Sequence, residues 1–372
     1  MDIMRTPRSL DLTITGRCNL RCDYCSHFSS AGEVDQDLPK EEWLRFFEEL
    51  NRCNIMYVTL GGGEPFLRED LKEIINGIVR NRMRFDILSN GTLIDDVMAS
   101  FLSSSGRCNG VQVSIDGSTP KIHDSLRGKG NFVKTVRGIE FLKRNNVRVT
   151  VRVTTHRYNV MNLEEIARFL LEDLGLPSFS TNSASFMGLC RQNSERIQLN
   201  VEERSTAMEI LLRLNLKYEG RINASAGPLA EAIDWRRMQQ ARIENKEAPE
   251  GRGFLTGCGG PMTKLAVRAD GVIVPCIQLS HIPLGRINKD NLKDIWQNNG
   301  ELKRIRERTR ISLNNFEFCQ GCDYIKYCTG SCPALAYTIL GEENHPSPDS
   351  CLRLFLESGG RLPPEDIGIR NG

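Results

Sequence analysis

Short apolar runs alternate with stretches of helical period through the first part of the chain. Leu12 to Thr15 predicts a strand, and after Pro39 the side chains Trp43, Phe46, Phe47 and Leu50 recur at helical spacing. Ile55 to Leu60 predicts a second strand, followed by a helix through Leu71, Ile74, Ile75 and Ile78. Strands at Phe85 to Leu88, Val111 to Ile115 and Val147 to Val153 repeat the pattern, each ahead of an amphipathic segment. A weaker sixth unit joins Ser178 to Phe186 with a helix from Glu202 to Leu216. Six such units in about 210 residues predict an α/β fold, a parallel sheet wrapped by helices and either open or curved into a partial barrel. Ligands then gather at the carboxyl ends of the strands.

The alternation fades between Gly220 and Gly257, where Arg236, Arg237, Arg242, Glu244, Lys246 and Glu247 crowd together. This reads as a bridge. Beyond it, Lys264 to Val267 and Val272 to Val274 flank Asp270-Gly271, a hairpin signal. A short helix through Leu292, Ile295 and Trp296 follows. The expected division is a core over 1–219, a bridge over 220–257, a cysteine-rich domain over 258–355 and a tail over 356–372.

Composition narrows the function classes. The 372 residues carry 49 Lys plus Arg against 47 Asp plus Glu, a formal charge of +2, so no global field favours nucleic acid. The local run Arg304, Arg306, Arg308 and Arg310 reads as the solvated face of a helix. No apolar run approaches the roughly 18 residues of a membrane span, and Met1 to Leu10 lacks the apolar core of a secretion signal. A cytoplasmic location is expected. There, 13 cysteines point to metal ligands rather than disulfides.

Those cysteines fall into groups. Cys18, Cys22 and Cys25 follow the first predicted strand; Cys53, Cys108 and Cys190 are isolated; Cys258, Cys276, Cys319, Cys322, Cys328, Cys332 and Cys351 crowd the C-terminal part. Three thiolates can hold three irons of a 4Fe-4S cluster and leave the fourth open, whereas zinc would need another ligand such as His27. Polar or glycine-rich turns end the next strands: Gly61-Gly62-Gly63-Glu64-Pro65, Ser89-Asn90-Gly91-Thr92 and Ser114-Ile115-Asp116-Gly117. Each alone is a turn; together, beside an open iron, they would line a pocket for a zwitterionic cofactor.

Cys18-x3-Cys22-x2-Cys25, with Tyr24 before its last cysteine, and Gly62-Gly63-Glu64-Pro65 resemble the radical S-adenosylmethionine (SAM) enzymes over about residues 10 to 215. The resemblance implies a partial (β/α)6 TIM-type barrel and a 4Fe-4S cluster on Cys18, Cys22 and Cys25. It also implies SAM contacts from Tyr24, Gly62, Gly63, Glu64, Ser89, Asn90, Ser114, Asp116 and Arg127. The implied chemistry is reductive cleavage of SAM to a 5'-deoxyadenosyl radical that abstracts hydrogen.

The later spacing is similar to the SPASM extension, a β-hairpin with short helices and two auxiliary iron-sulfur clusters. By that resemblance Cys258, Cys276 and Cys332 serve one cluster and Cys319, Cys322, Cys328 and Cys351 the other. The first then has an open iron or an eighth ligand, for which Cys190, Cys53 and Cys108 are candidates.

SPASM extensions mostly accompany peptide-modifying enzymes, so the expected function is crosslinking, oxidation or backbone excision in a ribosomally made peptide. The expected partners are the peptide, a separate leader-binding protein, because the first strand starts by Asp11, and a reductase such as flavodoxin or ferredoxin. Alternatives are a small molecule, a cofactor precursor or an enzyme active-site residue as substrate, and a metal-bearing protein-binding scaffold without activity. Ile277, where sulfatase-maturating relatives have an aspartate after the cysteine, weighs against that branch.

Overall fold

One ten-stranded sheet organises residues 3–26 and 37–369, the residues described by this computed structural model. Its strands are β1 (Ser9–Thr15), β2 (Tyr57–Gly62), β3 (Arg84–Ser89), β4 (Cys108–Ser114), β5 (Val149–Thr155), β6 (Phe179–Ser183), β7 (Ile222–Ala224), β8 (Lys264–Val267), β9 (Val272–Val274) and β10 (Gly285–Arg286). The spatial order is β10-β9-β8-β1-β2-β3-β4-β5-β6-β7. From β1 to β7 each strand pairs in parallel with the next, with helices in the crossovers. The other neighbour of β1 is β8, so the curved sheet is a partial TIM-type barrel rather than a closed ring.

The two-residue period of the strands separates two environments. Leu10, Leu12 and Ile14, Val58 and Leu60, Phe85 and Ile87, Val111 and Val113, and Val151 and Val153 are buried in the main core. Their alternates Asp11, Thr13, Thr59, Gly61, Leu88, Gln112 and Arg152 line the barrel lumen, a cavity of about 1020 Å3. The core side is covered by helices such as Lys40–Arg52, whose Trp43, Phe46, Phe47 and Leu50 are fully buried. Each such side chain contributes roughly 1.5–3 kcal/mol by leaving water.

Three features depart from the sequence reading. The segment read as a bridge supplies β7 and the helix Pro228–Ile243, which packs on the helix Val201–Lys217. That helix buries Leu229, Ala232, Trp235 and Met238, spaced by three, beneath its charged face. The hairpin of the cysteine-rich part also joins the barrel sheet, because β8 lies parallel to β1 over Ser9 to Leu12. Asp270-Gly271 closes its loop, with Gly271 at φ +86°.

Only half of the arginine run is a solvated face: Arg310 is exposed and Arg304 partly so, whereas the other two are not. Arg306 and Arg308 are 5% and 1% exposed. Arg306 donates to the carbonyls of Pro261 and Trp296 and lies 4.0 Å over the Trp296 ring; Arg308 donates to the carbonyls of Leu255 and Ser331. Buried carbonyls supplied by distant segments outweigh the solvation of these guanidiniums.

Candidate active site

The loop carrying Cys18, Cys22 and Cys25 leaves the carboxyl end of β1 and is fixed from two sides. Asp37 accepts hydrogen bonds from Thr15 Oγ1 at 2.6 Å, Gly16 N at 2.8 Å and Arg17 Nε at 3.0 Å. From the end of β2, Gly63 N donates to Thr15 O at 2.9 Å and Glu64 N to Arg17 O at 2.8 Å. This contact explains the glycines. A Cβ on Gly63 would lie 2.1 Å from Arg17 O, and one on Gly62, at φ +123°, would lie 2.2 Å from Thr15 O. The side-chain-free pair therefore admits the backbone of the cysteine loop.

Glu64 is fully buried. It accepts hydrogen bonds from Ser89 Oγ at 2.8 Å, Asn90 N at 2.7 Å and Phe66 N at 3.2 Å. Burial pushes its carboxyl up to about 7 despite these donors. Asn90 Nδ2 reaches Asn19 Oδ1 at 2.9 Å and Cys18 Sγ at 3.9 Å, tying the end of β3 to the cysteine loop. Asn19 was not singled out by its sequence context.

A second buried group stands beside Cys22. The Asp116 carboxylate accepts from the Tyr24 hydroxyl, from Arg127 Nε at 2.5 Å and from Thr154 N at 2.7 Å. Burial opposes ionisation of Asp116, but Arg127 holds its carboxyl below the usual range. Arg127 Nη1 also lies 4.0 Å from Cys22 Sγ. Asp116, Arg127 and Tyr24 thus engage one another, and Ser114 sits on β4 level with Arg152 of β5. Sequence reasoning missed Asn159, which donates to the carbonyls of Asp116 and Thr154 at 2.9 Å each. It also missed His156, whose ring lies 5.6 Å from that of Tyr24. Burial pushes the His123 and His156 imidazoles down to about 4, so both are neutral.

The later cysteines form two separate neighbourhoods. Cys319, Cys322, Cys328 and Cys351 wall one small cavity with Leu313, Phe318 and Ile325. Burial pushes the Cys319 thiol up to about 12, and the thiolates of Cys328, Cys351 and Cys322 push in the same direction. Burial likewise raises Cys276, with Cys258 and Cys332 among the charges that add to it. Arg308 feels the thiolates of Cys258 and Cys332. Among the described residues no three Cys, His, Asp or Glu side chains converge as ligands of one ion; the groups are defined by shared walls and mutual repulsion. Dry pockets in which several thiolates would repel one another suit the donors of a cationic iron cluster.

The isolated cysteines lie elsewhere. Cys190 is fully buried with Tyr24, Leu126, Ala184 and Ile197, against Cys22. Cys53 ends the first helix and Cys108 starts β4, both against the main core. His27, the alternative zinc ligand, lies outside the described residues.

Residues 12–170 match the model of the radical SAM superfamily, and residues 258–323 match the iron-sulfur cluster-binding SPASM domain. The chain is a radical SAM enzyme carrying a SPASM domain. Its radical SAM domain binds SAM and a 4Fe-4S cluster, and its SPASM domain binds auxiliary iron-sulfur clusters. It is 26% identical over 342 residues to the AdoMet-dependent heme synthase of Methanosarcina barkeri (strain Fusaro / DSM 804), covering 90% of this chain and 94% of that protein. It is 29% identical over 291 residues to the sporulation killing factor maturation protein SkfB of Bacillus subtilis (strain 168), covering 78% of this chain but 64% of SkfB. The fold is that of Streptococcus suis SuiB bound to its precursor peptide SuiA, with a TM-score of 0.71 at 16% identity over 94% of this chain and 77% of SuiB. No helix among the described residues is long and apolar enough to cross a membrane.

Proposed function

We propose that this enzyme modifies a ribosomally made peptide, with Cys18, Cys22 and Cys25 holding the catalytic cluster. Glu64 receives the SAM amino group, while Ser89 and Asn90 hold its carboxylate oxygens in place. Gly62 and Gly63 bring the end of β2 against the cysteine loop and so set the distance between cofactor and cluster. Tyr24, Asp116 and Arg127 form the wall behind Cys22, next to Ser114. Cys18, Cys22 and Cys25 would hold a cluster whose chemistry is one-electron reductive cleavage of SAM, leading to hydrogen abstraction from the substrate.

The carrying observation is the cavity. Its wall includes Ser26 and Gly62 beside the catalytic cysteine loop and Ile277, Gln278 and His281 after Cys276. At about 1020 Å3 it stands at the upper end of small-molecule sites, about 300–1,000 Å3, and has room for a peptide segment. SkfB is named as a maturation protein and SuiB was captured with a precursor peptide, which supports the same substrate class. Cys258, Cys276 and Cys332 hold one auxiliary cluster and Cys319, Cys322, Cys328 and Cys351 the other. A separate leader-binding protein and a flavodoxin- or ferredoxin-type reductase act with the enzyme in the cytoplasm.

The test is anaerobic incubation of the reconstituted enzyme with SAM, dithionite and the short peptides encoded beside its gene. A mass change in one peptide is the expected result; no change in any, with SAM cleaved, contradicts the reading. The heme synthase relative, matched over 94% of its length, favours a second reading, a small molecule or cofactor precursor. Product from such a compound without any peptide would establish it.

A further inference from the structure

Of the four Lys and Arg side chains lining the lumen among the described residues, two form ion pairs and two do not: Arg191, which lies 5.8 Å from the Phe186 ring, and Arg152. Lys264 pairs with Asp11 at 2.6 Å, and Arg268 pairs with Asp270 at 3.0 Å. Arg152, at the centre of β5, lines the same cavity but contacts only a neutral group, with Nε 3.2 Å from Ser180 Oγ. Among the described residues it forms no ion pair, and Asp11 in the same wall is engaged by Lys264. Burial alone acts on the guanidinium and pushes it down, with no opposing charge. A half-buried guanidinium without an anion carries a desolvation cost that a bound anion offsets.

The position is equally specific. Arg152 is level with Ser114 on β4 and with Ser180 on β6. One strand spacing, about 4.8 Å, separates it from Ser114 at the cofactor end of the lumen. The planar fork of arginine matches a carboxylate with two parallel hydrogen bonds.

We propose that Arg152 is a substrate-recognition residue that binds a carboxylate of the substrate in the barrel lumen, beside the SAM site. The inference deepens the peptide reading and rests on it for the nature of the molecule. It assigns an acidic side chain or a terminal carboxylate of the peptide to this position, with Ser180 holding the guanidinium in place.

Three probes separate the sources: acetyl-Gly-Glu-Gly amide, acetyl-Gly-Gln-Gly amide, and acetyl-Gly-Gln-Gly with a free terminal carboxylate. Their binding to the reconstituted, SAM-loaded enzyme is measured by anaerobic titration calorimetry or saturation-transfer NMR. At least one carboxylate probe is expected to bind about ten-fold more tightly than the neutral one, the usual scale for a hydrogen bond to a charged group. That preference should vanish in Arg152→Met and survive in part in Arg152→Lys. Equal binding of all three to the wild type overturns the proposal without any variant, as does a preference that persists in Arg152→Met. SAM affinity falling in parallel with the preference would assign Arg152 to the cofactor and overturn it as well. If the preference holds while no peptide is modified, the peptide reading has failed and the carboxylate belongs to a small molecule.

Discussion

The two ends of the chain use cysteine in opposite ways. At the N-terminal site three thiols hang on a loop fixed by Asp37 and by the backbone at Gly63 and Glu64, with the lumen on one side and a buried carboxylate on another. At the far end, Cys319, Cys322, Cys328 and Cys351 close around a small cavity walled by Leu313, Phe318 and Ile325. Three ligands leave an iron for a substrate-like molecule, whereas four apolar-walled ligands leave none. On the proposed ligand sets, the first site would bind and react and the second would hold an electron carrier. Cys258, Cys276 and Cys332 stand between these cases, near the lumen but with three thiols.

Removing ligands breaks this comparison most sharply. Replacing Cys18, Cys22 and Cys25 together by Ala should lower iron content by about four atoms per chain and abolish 5'-deoxyadenosine formation, measured by chromatography. Replacing Cys319 and Cys322 by Ala should also remove about four irons while some SAM cleavage continues and modified product stops. Unchanged product would show that the closed site is dispensable.

Glu64 sharpens the contrast because, among the described residues, the open site contains buried acids and the wall of the closed one none. Glu64→Gln should weaken SAM about ten- to hundred-fold, the scale of a charged hydrogen bond, as read by equilibrium dialysis. Burial raises this carboxyl from 4.5 to about 7 in the cofactor-free fold. Its contribution to stability is therefore present below pH 4.5 and lost as pH rises through about 7. SAM, whose ammonium needs the ionised form, should bind more weakly by about ten-fold per pH unit below about 7. A flat profile from pH 5.5 to 7.5 would remove Glu64 from the SAM site.

Gly63→Ala should cost about 1–3 kcal/mol, because its Cβ meets Arg17 O; denaturant titration of the metal-free protein measures it. Cys53→Ser and Cys108→Ser should leave the iron content of all clusters unchanged. A loss there would add a ligand that the packing gives no reason to expect.

Much of the architecture was legible because it repeats. Alternating apolar residues marked β1 to β6, and cysteine spacing separated a three-thiol group from a C-terminal one. What escaped depended on partners distant in sequence. β7 has only Ile222 to Ala224, too few positions for a period to register. The charges on Pro228–Ile243 masked the three-residue rhythm of Leu229, Ala232, Trp235 and Met238. Arg306 and Arg308 looked solvated because the carbonyls that receive them come from Pro261, Trp296, Leu255 and Ser331. Asp116 and Arg127 were read as separate cofactor contacts, yet the fold pairs them at 2.5 Å.

The most direct test of the open three-thiol site is electron paramagnetic resonance of the dithionite-reduced enzyme with and without SAM. The account predicts that SAM alters the wild-type cluster signal and that the altered component is missing when Cys18, Cys22 and Cys25 are replaced by Ala. The same SAM-induced change in that triple variant would contradict it.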